Sequence, residues 1–332
     1  MSCQSNRDPL SFYPPVFKEQ KSVNIVEIEI DKLQNIIFDL EIIGDNILAR
    51  AFDGTNAVSI FDKNNGRLIN SVAPIGRGPG EYLSPYLEID ISKDSVYILD
   101  PESKSVYNYT HKDLLDGSIP ERIVKLEGYN FFINALPLTT GKFLSYPTKG
   151  ARFSIHKADG KLISSYNKYP LLKEITDTIS AIYMYRGRED TSVKPDGTKF
   201  ASTNSLGSIL EIFSIKDDII TLEEEQRFYA PKINILKNKQ VTGQPECLIG
   251  LWDLKTTDKY IYAIFSGKQI KEMTDGQISG KYVYVFDWDG KPVKSYNLNK
   301  DITRLAIDEI SQRAYVVTKG QDSTEVFGYF EL

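Results

Sequence analysis

The segment YVFDWDGKPVKSY, residues 284–296, joins an apolar and aromatic run to a second β-type run through an Asp-Gly-Lys turn. Glycine after aspartate readily adopts the positive φ that a tight hairpin turn needs. The same pattern occurs as SIFDKNNGRLINS at residues 59–71 and as SIHKADGKLISSY at residues 154–166. The chain therefore repeats one β-hairpin at least three times.

Extending each hairpin in both directions gives units of four short strands. The clearest unit has predicted strands at Leu248–Leu254, Lys259–Ser266, Lys281–Trp288 and Pro292–Leu298. The other units are predicted at residues 35–73, 87–128, 130–170, 183–228 and 301–332. The last of these has three convincing strands, and the alternating segment Val23–Ile30 supplies the fourth. Repeating four-stranded units of this size are typical of propeller blades.

The sequence thus predicts an all-β fold, a six-bladed β-propeller with four-stranded antiparallel blades. The N-terminal strand closes the ring by pairing with the C-terminal blade, which removes exposed strand edges. We expect one domain over residues 22–332, preceded by an N-terminal tether or linker over residues 1–21. Two alternatives stay open: seven blades with one degenerate, or two β-sandwiches meeting near Leu171–Ala181. That segment has helical spacing and is expected to form a short helix between blades.

Composition excludes several classes of function. A net charge of −5 argues against nucleic acid as a partner, because phosphate binding needs a basic face. With two histidines and two cysteines in 332 residues, neither a Cys/His metal centre nor a Ser-His-Asp triad is expected, and no cofactor or metal is predicted. His156 occupies a repeat position held elsewhere by phenylalanine, which indicates packing. Asp287 and Asp289 lack the remaining ligands of a calcium loop and indicate a hairpin turn.

A second distinctive stretch, IGRGPGEY at residues 75–82, connects the first unit to the second. Glycine and proline at this density exclude a helix or a central strand. The stretch lacks the Lys-Ser/Thr of a phosphate-binding P-loop. It is interpreted as a structural corner in which Pro79 fixes the backbone, the glycines take positive φ, and Arg77 and Glu81 bond neighbouring blades. The alternative is a ligand clamp, with both side chains at the channel mouth.

Connections between blades gather on one face around the central channel of a propeller, and long loops on a rigid scaffold often carry function. The predicted connections are residues 76–82, 128–131, 166–190, 228–250 and 297–303. The candidate ligand-binding residues on or beside these connections are Arg77, Glu81, Tyr82, Tyr129, Tyr185, Arg186, Arg188 and Trp252. No catalytic residue is assigned.

The IGRGPGEY stretch after a first blade resembles the signature of TolB-like six-bladed β-propeller lipoproteins of Bacteroides-type bacteria. The resemblance extends from about residue 22 to the end of the chain. It implies an exported protein, periplasmic or outer-membrane associated, with no established activity. Cys3, which follows Ser2 and precedes a polar segment, matches the lipidated cysteine and would be the only membrane attachment.

Two hypotheses about function follow, and a third stays open. The first is a monomeric, non-enzymatic binding or scaffolding propeller of the cell envelope that recognises a protein, peptide or glycan on the channel face. The second is a carboxylate-dependent lyase or hydrolase acting on glycans, which predicts two or more clustered carboxyls with perturbed pKa values at the channel mouth. The third is a purely structural lipoprotein without a binding pocket.

Overall fold

A computed structural model describes residues 11–30, 36–84, 87–92, 94–175, 177–185, 189–273, 277–320 and 324–332. Two strands, β1 (Glu19–Val23) and β2 (Val26–Ile28), come first. The first four-stranded antiparallel sheet contains β3 (Asp39–Ile43), β4 (Asn46–Arg50), β5 (Asn56–Asp62) and β6 (Leu68–Pro74). The second contains β7 (Glu88–Ser92), β8 (Ser95–Asp100), β9 (Ser105–Thr110) and β10 (Arg122–Lys125), with helix α1 (His111–Leu115) before its last strand.

The third and fourth sheets follow the same order. The third contains β11 (Phe132–Pro137), β12 (Phe143–Pro147), β13 (Phe153–His156) and β14 (Leu162–Tyr166). After helix α2 (Thr178–Tyr185), the fourth contains β15 (Glu189–Val193), β16 (Lys199–Asn204), β17 (Ser208–Lys216) and β18 (Ile219–Tyr229). A two-stranded hairpin then precedes the fifth sheet, formed by β19 (Ile233–Ile235) and β20 (Val241–Gly243).

The fifth and sixth sheets share one long strand. The fifth contains β21 (Leu251–Thr256), β22 (Tyr260–Phe265), β23 (Gly280–Asp287) and the first part of β24 (Pro292–Asp308), with a 3-10 helix at Ile270–Glu272. The second part of β24 begins the sixth, which adds β25 (Arg313–Lys319) and β26 (Glu325–Glu331). Residues 297–303 do connect these two sheets, as predicted, but they do so as a continuous part of β24 and not as a loop.

Neighbouring sheets contact each other around a complete ring. The first strands touch in the order β3–β7–β11–β15–β21–β24 and back to β3. A buried apolar cluster lies between each pair of adjacent sheets, for example Leu99 and Val124 of the second sheet with Phe132 and Phe143 of the third. The six-bladed propeller predicted from the sequence is confirmed, and no sandwich boundary interrupts it.

The N-terminal strand closes the ring as predicted, but it is shorter than predicted. Val26–Ile28 pairs antiparallel with β26, and the Ile28 side chain packs against Phe327 in the cluster between blades six and one. The expected strand Val23–Ile30 is divided, because β1 runs parallel to β24 on the outside of blade five. Residues 11–18, within the predicted tether, also contact the blades: the Phe17 ring lies 4.5 Å from that of Tyr284.

Each repeated hairpin uses its turn glycine for two purposes. Gly66, Gly160 and Gly290 have φ of +69°, +89° and +73°, as the Asn-Gly and Asp-Gly turns predict. The same glycines abut the preceding blade: a Cβ on Gly160 would lie 2.0 Å from the carbonyl oxygen of Lys125. The glycine therefore permits both the turn and the close approach of the blades. The predicted helix within residues 171–182 is present but begins only at Thr178.

Candidate functional site

The glycine-rich loop is a compact corner between blades one and two. Its ends are tied by hydrogen bonds from the Gly76 N–H to the Tyr82 carbonyl (2.9 Å) and from the Tyr82 N–H to the Pro74 carbonyl (2.8 Å). The Glu81 carboxylate accepts the Gly78 N–H at 2.6 Å. Of the three glycines only Gly80 has positive φ, and Glu81 bonds the loop itself, so both details of the predicted corner differ from the structure.

The side chains of this loop point in different directions. Tyr82 is buried in the core between blades one and two, where its hydroxyl bonds that of Tyr109 and its ring lies 4.4 Å from that of Tyr107. Arg77 is exposed and Glu81 is half-buried. Binding of a ligand by these three residues stays a prediction.

The remaining candidates lie apart from this loop. The Tyr129 hydroxyl bonds those of Ser154 and Ser165 on blade three, at 2.9 Å each. Tyr185 is buried, with its ring 4.8 Å from the Arg152 guanidinium carbon. Trp252 lines the central channel and donates its indole N–H to the Thr303 carbonyl at 3.5 Å. Arg186 and Arg188, like the proposed lipidation residue Cys3, lie outside the described residues. The described candidates therefore lie in separate parts of the structure.

Beneath Tyr185 lies a fully buried ionic cluster. The Arg152 guanidinium pairs with the Glu189 carboxylate (Nε to Oε1, 2.9 Å) and with Glu211 (Nη1 to Oε1, 3.0 Å). Burial opposes the charge on Arg152, but the two carboxylates raise its pKa above the usual range. Burial also raises the pKa of Glu211 to about 7, although Arg152 opposes the shift. This cluster joins the residue before β13 to β15 and β17 at the edge of the channel wall.

The central channel of the propeller is concave and lined mostly by polar and charged side chains. A cavity of 490 Å³ lies where the first strands of the blades begin, which is the face that carries the connections between blades, here called the connection face. A second cavity of 280 Å³ lies at the opposite end. The two share Glu41, Asp90, Ser192 and Lys255, so they are the two ends of one channel with these residues at its middle.

Alternate positions on the first strands line the channel in two tiers. The tier nearer the connection face contains Asp39, Glu88, Asn134, Asp190, Asp253 and Arg304, one from each blade. The deeper tier contains Glu41, Asp90, Leu136, Ser192 and Lys255. Sequence reasoning missed these residues except for their neighbour Trp252. A usable signal was present, since Asp39-Leu-Glu41, Glu88-Ile-Asp90 and Asp253-Leu-Lys255 set charges two residues apart at the start of a first strand.

Bulges in the first strands aim these side chains. The pairing register shifts at the upper tier in β11, β21 and β24, next to Asn134, Asp253 and Arg304 respectively. Asp253 has a φ of +54°, which is unusual for a residue with a side chain. Its carboxylate accepts the Leu305 N–H of the next blade. Bulges and strained residues of this kind are common next to functional sites.

The cations of the channel are already engaged. Lys255 pairs with Asp39 (3.2 Å) and with Glu41. Arg50 lies 3.5 Å from the Glu88 carboxylate. Arg304 donates to the backbone carbonyls of Phe38 and Thr303, at 2.6 Å each. Among the described residues that line the 490 Å³ cavity, the six carboxyls of the two tiers therefore lie beside three cationic side chains.

Three of the carboxyls have no ion pair in the described part of the chain: Asp90, Asp190 and Asp253. Their partners are backbone N–H groups. The Asp190 carboxylate accepts those of Thr191 and Leu254, each at 2.9 Å. The channel at the connection face is therefore acidic and incompletely neutralised.

Burial and the neighbouring cations perturb the pKa values of the channel carboxyls in opposite directions. Burial raises the pKa of Glu41 to about 8 and those of Glu88, Asp90 and Asp253 to about 7, and it raises that of Asp190. Burial opposes ionisation of Asp39 as well, but Lys255, Arg50 and Arg304 outweigh it and lower its pKa. Asp39 is thus ionised near neutral pH, while its neighbours retain protons for part of the time.

Two further features bear on the site. Among the residues that the structure describes, no group of three or more His, Cys, Asp or Glu side chains is arranged to hold a metal ion. Within the same residues, no helix has the length and apolar character needed to cross a membrane.

Solved structures of similar shape have low sequence identity to this chain. One is a Bacteroides fragilis protein named "Putative exported protein", with 12% identity, a TM-score of 0.57, and coverage of 95% of this chain and 98% of the other. A member of the duf4221 family from Bacteroides vulgatus has 12% identity, a TM-score of 0.58, and coverage of 94% and 99%. At this identity the likeness concerns the fold alone.

Comparison of sequences supplies the family. No functionally curated protein matches the chain. Residues 17–310 match the family described as TolB-like 6-blade propeller-like. This range includes the glycine-rich corner and the first strands of all six blades. The chain therefore belongs to the TolB-like 6-blade propeller-like family.

Proposed function

We propose that the protein is a non-enzymatic binding or scaffolding propeller of the cell envelope that holds part of a protein, peptide or glycan in its channel at the connection face. The observation that carries the proposal is the 490 Å³ cavity, whose wall has more carboxyls than cationic groups. Ligand pockets are typically concave, preformed and about 300–1,000 Å³ in volume, with a few convergent polar groups. The cavity meets the conditions of shape and volume, and most of the residues that line it are polar or charged.

The rigidity of the wall supports binding without a large rearrangement. Each blade contributes its side chains from a hydrogen-bonded first strand, and Asp190 and Asp253 are further fixed by N–H groups of the next blade. A preformed site loses less conformational entropy on binding than a mobile loop would. The acidic wall also disfavours nucleic acid, in agreement with the net charge of −5.

Location at the envelope is part of the same proposal. The name of the similar Bacteroides fragilis structure supports export, and the Ser2-Cys3 pair supports lipid attachment in the periplasm or at the outer membrane. We further propose that the protein is monomeric, since the closed ring leaves no free edge between the first and last blades.

The proposal is tested by closing the cavity. Asn134 lines it, and within the described part of the chain its side chain bonds only the adjacent Ala135 N–H, so Asn134→Trp should fill the space without breaking a contact between blades. Ile123→Trp, on the exposed outer strand β10, is the matched control. Captured from envelope extract, partners that are lost with Asn134→Trp and retained with Ile123→Trp would support channel binding. Identical partner sets for both variants would contradict it.

A second candidate is the carboxylate-dependent enzyme acting on glycans. The observation that favours it is the spread of pKa values in one cavity, with Asp39 lowered while Asp90 is raised to about 7. Pairs of carboxyls with separated pKa values are the usual acid and base of glycoside chemistry. Release of reducing ends or unsaturated products from a polysaccharide panel, abolished by Asp90→Asn, would support the enzyme. No product with any polysaccharide would remove it.

A further inference from the structure

We propose that the edge of blade four at the connection face contacts a lipid bilayer with anionic headgroups. This inference rests on the lipid attachment proposed above and names the surface that the attachment would hold against the membrane. The surface, here called the hairpin edge, consists of Leu171, Ile179 of helix α2, and residues 232–243 with the β19–β20 hairpin. It lies outside the described wall of the 490 Å³ cavity.

The tip of the β19–β20 hairpin is exposed on a rigid base. Ile233 and Val241 are buried in one apolar cluster with side chains of helix α2. Residues 234–240 between them are all exposed. The Leu236 N–H donates to the Gln240 carbonyl at 2.9 Å and closes the turn. The tip therefore stands clear of the core while its base is fixed.

The exposed side chains of the hairpin edge combine apolar groups with positive charge. Leu171, Ile179, Ile235 and Leu236 are 71%, 55%, 39% and 44% exposed, respectively. Residues 232–243 contain three lysines and neither aspartate nor glutamate, in a chain whose net charge is −5. A surface of this composition suits the membrane interface, where apolar side chains are buried and lysine ammonium groups reach the lipid phosphates.

Two lysine-bearing turns of the opposite face have balanced charges by comparison. The Lys161 ammonium lies 3.4 Å from the Asp159 carboxylate, and that of Lys291 lies 2.9 Å from Asp289. Each of these aspartates is in the same turn as its lysine. The positive charge of the hairpin edge is therefore a local feature of the connection face.

One acidic side chain does contact the hairpin. The Lys239 ammonium lies 3.2 Å from the Asp177 carboxylate, just before helix α2, and the two side chains are 51% and 34% exposed. An exposed pair of this kind contributes little free energy. Lys239 can therefore exchange Asp177 for a lipid phosphate at little cost.

The N-terminal segment enters the propeller at this same edge. The Tyr13 N–H donates to the Arg227 carbonyl at 2.8 Å, and the Phe12 ring lies 5.6 Å from the Arg227 guanidinium carbon. The same guanidinium donates to the Leu171 carbonyl at 2.7 Å. Phe12 also packs against the apolar cluster that contains Ile233. The start of the described chain is thus fixed beside both parts of the hairpin edge.

The short distance along the chain from Cys3 commits this edge to the membrane. Cys3 lies eight residues before Ser11, the first described residue. Eight extended residues span at most about 29 Å, so a lipid on Cys3 would keep the hairpin edge close to the bilayer. A short tether gives an effective concentration of about millimolar order. A few apolar side chains and lysines are then enough to hold the surface against the membrane.

The test attaches the full chain to vesicles through Cys3. Cys247 is buried, so a maleimide-bearing lipid should react at Cys3, and Cys3→Ser verifies that coupling needs this residue. The vesicles contain phosphatidylglycerol as the anionic lipid and phosphatidylcholine brominated on its acyl chains. The bromine atoms quench tryptophan emission on contact. Wild type supplies the baseline emission of Trp252 and Trp288.

Variants locate the contact. Leu236→Trp places the probe at the tip, and Ile310→Trp, at a residue 96% exposed in the β24–β25 turn of the opposite face, is the matched control. We expect the added emission of Leu236→Trp to be quenched at least about twice as strongly as that of Ile310→Trp.

Charge reversal tests the role of the lysines. Lys237→Glu/Lys239→Glu, combined with Leu236→Trp, should remove at least about half of the quenching, and about 0.5 M salt should act in the same direction. Lys157→Glu/Lys161→Glu changes two exposed lysines of the β13–β14 turn at the opposite face and should leave the quenching unchanged. Thermal unfolding of each variant verifies that it is folded.

Each outcome decides the inference. Equal quenching of the two tryptophan variants, or quenching that Lys237→Glu/Lys239→Glu leaves unchanged, would overturn it. An unquenched Leu236→Trp together with loss of a captured envelope protein in Lys237→Glu/Lys239→Glu would assign the surface to a protein and refute the bilayer. Because maleimide coupling replaces lipidation by the cell, the mass of the N-terminal peptide from native protein judges the proposed attachment separately. Channel binding is judged by the Asn134→Trp capture experiment, so either proposal can fail without the other.

Discussion

The sharpest consequence of the channel concerns Asp253 and the dependence of stability on pH. Burial, helped by like charge on Asp190 and Asp39 and opposed by Lys255 and Arg304, raises the pKa of Asp253 from 3.8 to about 7. The folded protein therefore holds a proton on Asp253 that the unfolded chain has released above about pH 4. Stability contributed by this proton is complete below pH 4 and is lost as pH rises towards 7.

The magnitude follows from the shift. A change from 3.8 to about 7 corresponds to about 4 kcal/mol between the acidic and the neutral end of this range. Asp253→Asn removes the ionisation, while its amide oxygen still accepts the Leu305 N–H that the carboxylate binds. Asparagine also tolerates the positive φ of this position at least as well as aspartate. The variant should therefore gain stability over wild type as pH rises.

The assay is urea unfolding of both proteins from pH 4 to pH 8.5. We expect the difference in the free energy of unfolding, variant minus wild type, to increase by about 2–4 kcal/mol over this range, with most of the change below pH 7. The lower end allows for neighbouring carboxyls that ionise more easily once Asp253 is neutral. Asp289→Asn is the control, because its carboxylate is exposed. A difference that stays constant with pH would refute the argument that the channel desolvates Asp253.

Three further substitutions test the scaffold by chemical denaturation. Arg152→Met should cost about 3–5 kcal/mol, because it leaves two buried carboxylates without their cation; an unchanged midpoint would contradict the buried cluster. Gly250→Ala should cost about 3 kcal/mol or more, since the new Cβ would lie only 1.3 Å from the Gly207 carbonyl oxygen. Ile28→Ala should cost about 2–4 kcal/mol through the core between blades six and one, whereas Val26→Ala, 50% exposed on the same strand, should cost much less. Equal effects of these last two would argue against closure by the N-terminal strand.

The fold could be predicted because its signals are local and repeated. At Gly160 one residue satisfies two constraints, the positive φ of the turn and contact with the Lys125 carbonyl oxygen of the preceding blade. The same hairpins also share a register shift just before the turn, as between Ile155 and His156. Because the turn glycine must both adopt a positive φ and contact the preceding blade, each repeat of this turn specifies the strand pairing within a blade and the spacing between blades.

Boundaries were predicted less well, for reasons that depend on tertiary structure. The strand β24 continues through residues 297–303 because it pairs with β23 on one side of the bulge and with β25 on the other. Alternation over Val23–Ile30 indicates one strand, but the sequence does not reveal that Val23 belongs to a strand paired with β24 while Val26–Ile28 pairs with β26. The hairpin Ile233–Gly243 lies inside a segment predicted only as a connection, since its two strands have three residues each.

The composition of the channel wall was not predicted. Of the candidate residues that the structure describes, only Trp252 lines the 490 Å³ cavity at the connection face. The residues of the glycine-rich loop were predicted as candidates because glycine and proline are distinctive in a sequence. In the structure the Tyr82 side chain is part of the buried core. The channel residues are ordinary aspartates and glutamates, and their significance arises only when six blades bring them together.

The glycine-rich corner and the acidic channel illustrate two different relations between sequence and function. The corner is contiguous because a tight connection must satisfy its own hydrogen bonds within a few residues, as Glu81 does for the Gly78 N–H. The channel has no contiguous signature because each blade contributes one or two side chains, and the charge of Asp253 depends on Asp190 more than sixty residues away. In a closed propeller the distinctive motif can therefore stabilise the scaffold while the chemistry comes from unremarkable positions. Alternating charges at the start of successive first strands are the pattern that identifies such a channel from sequence.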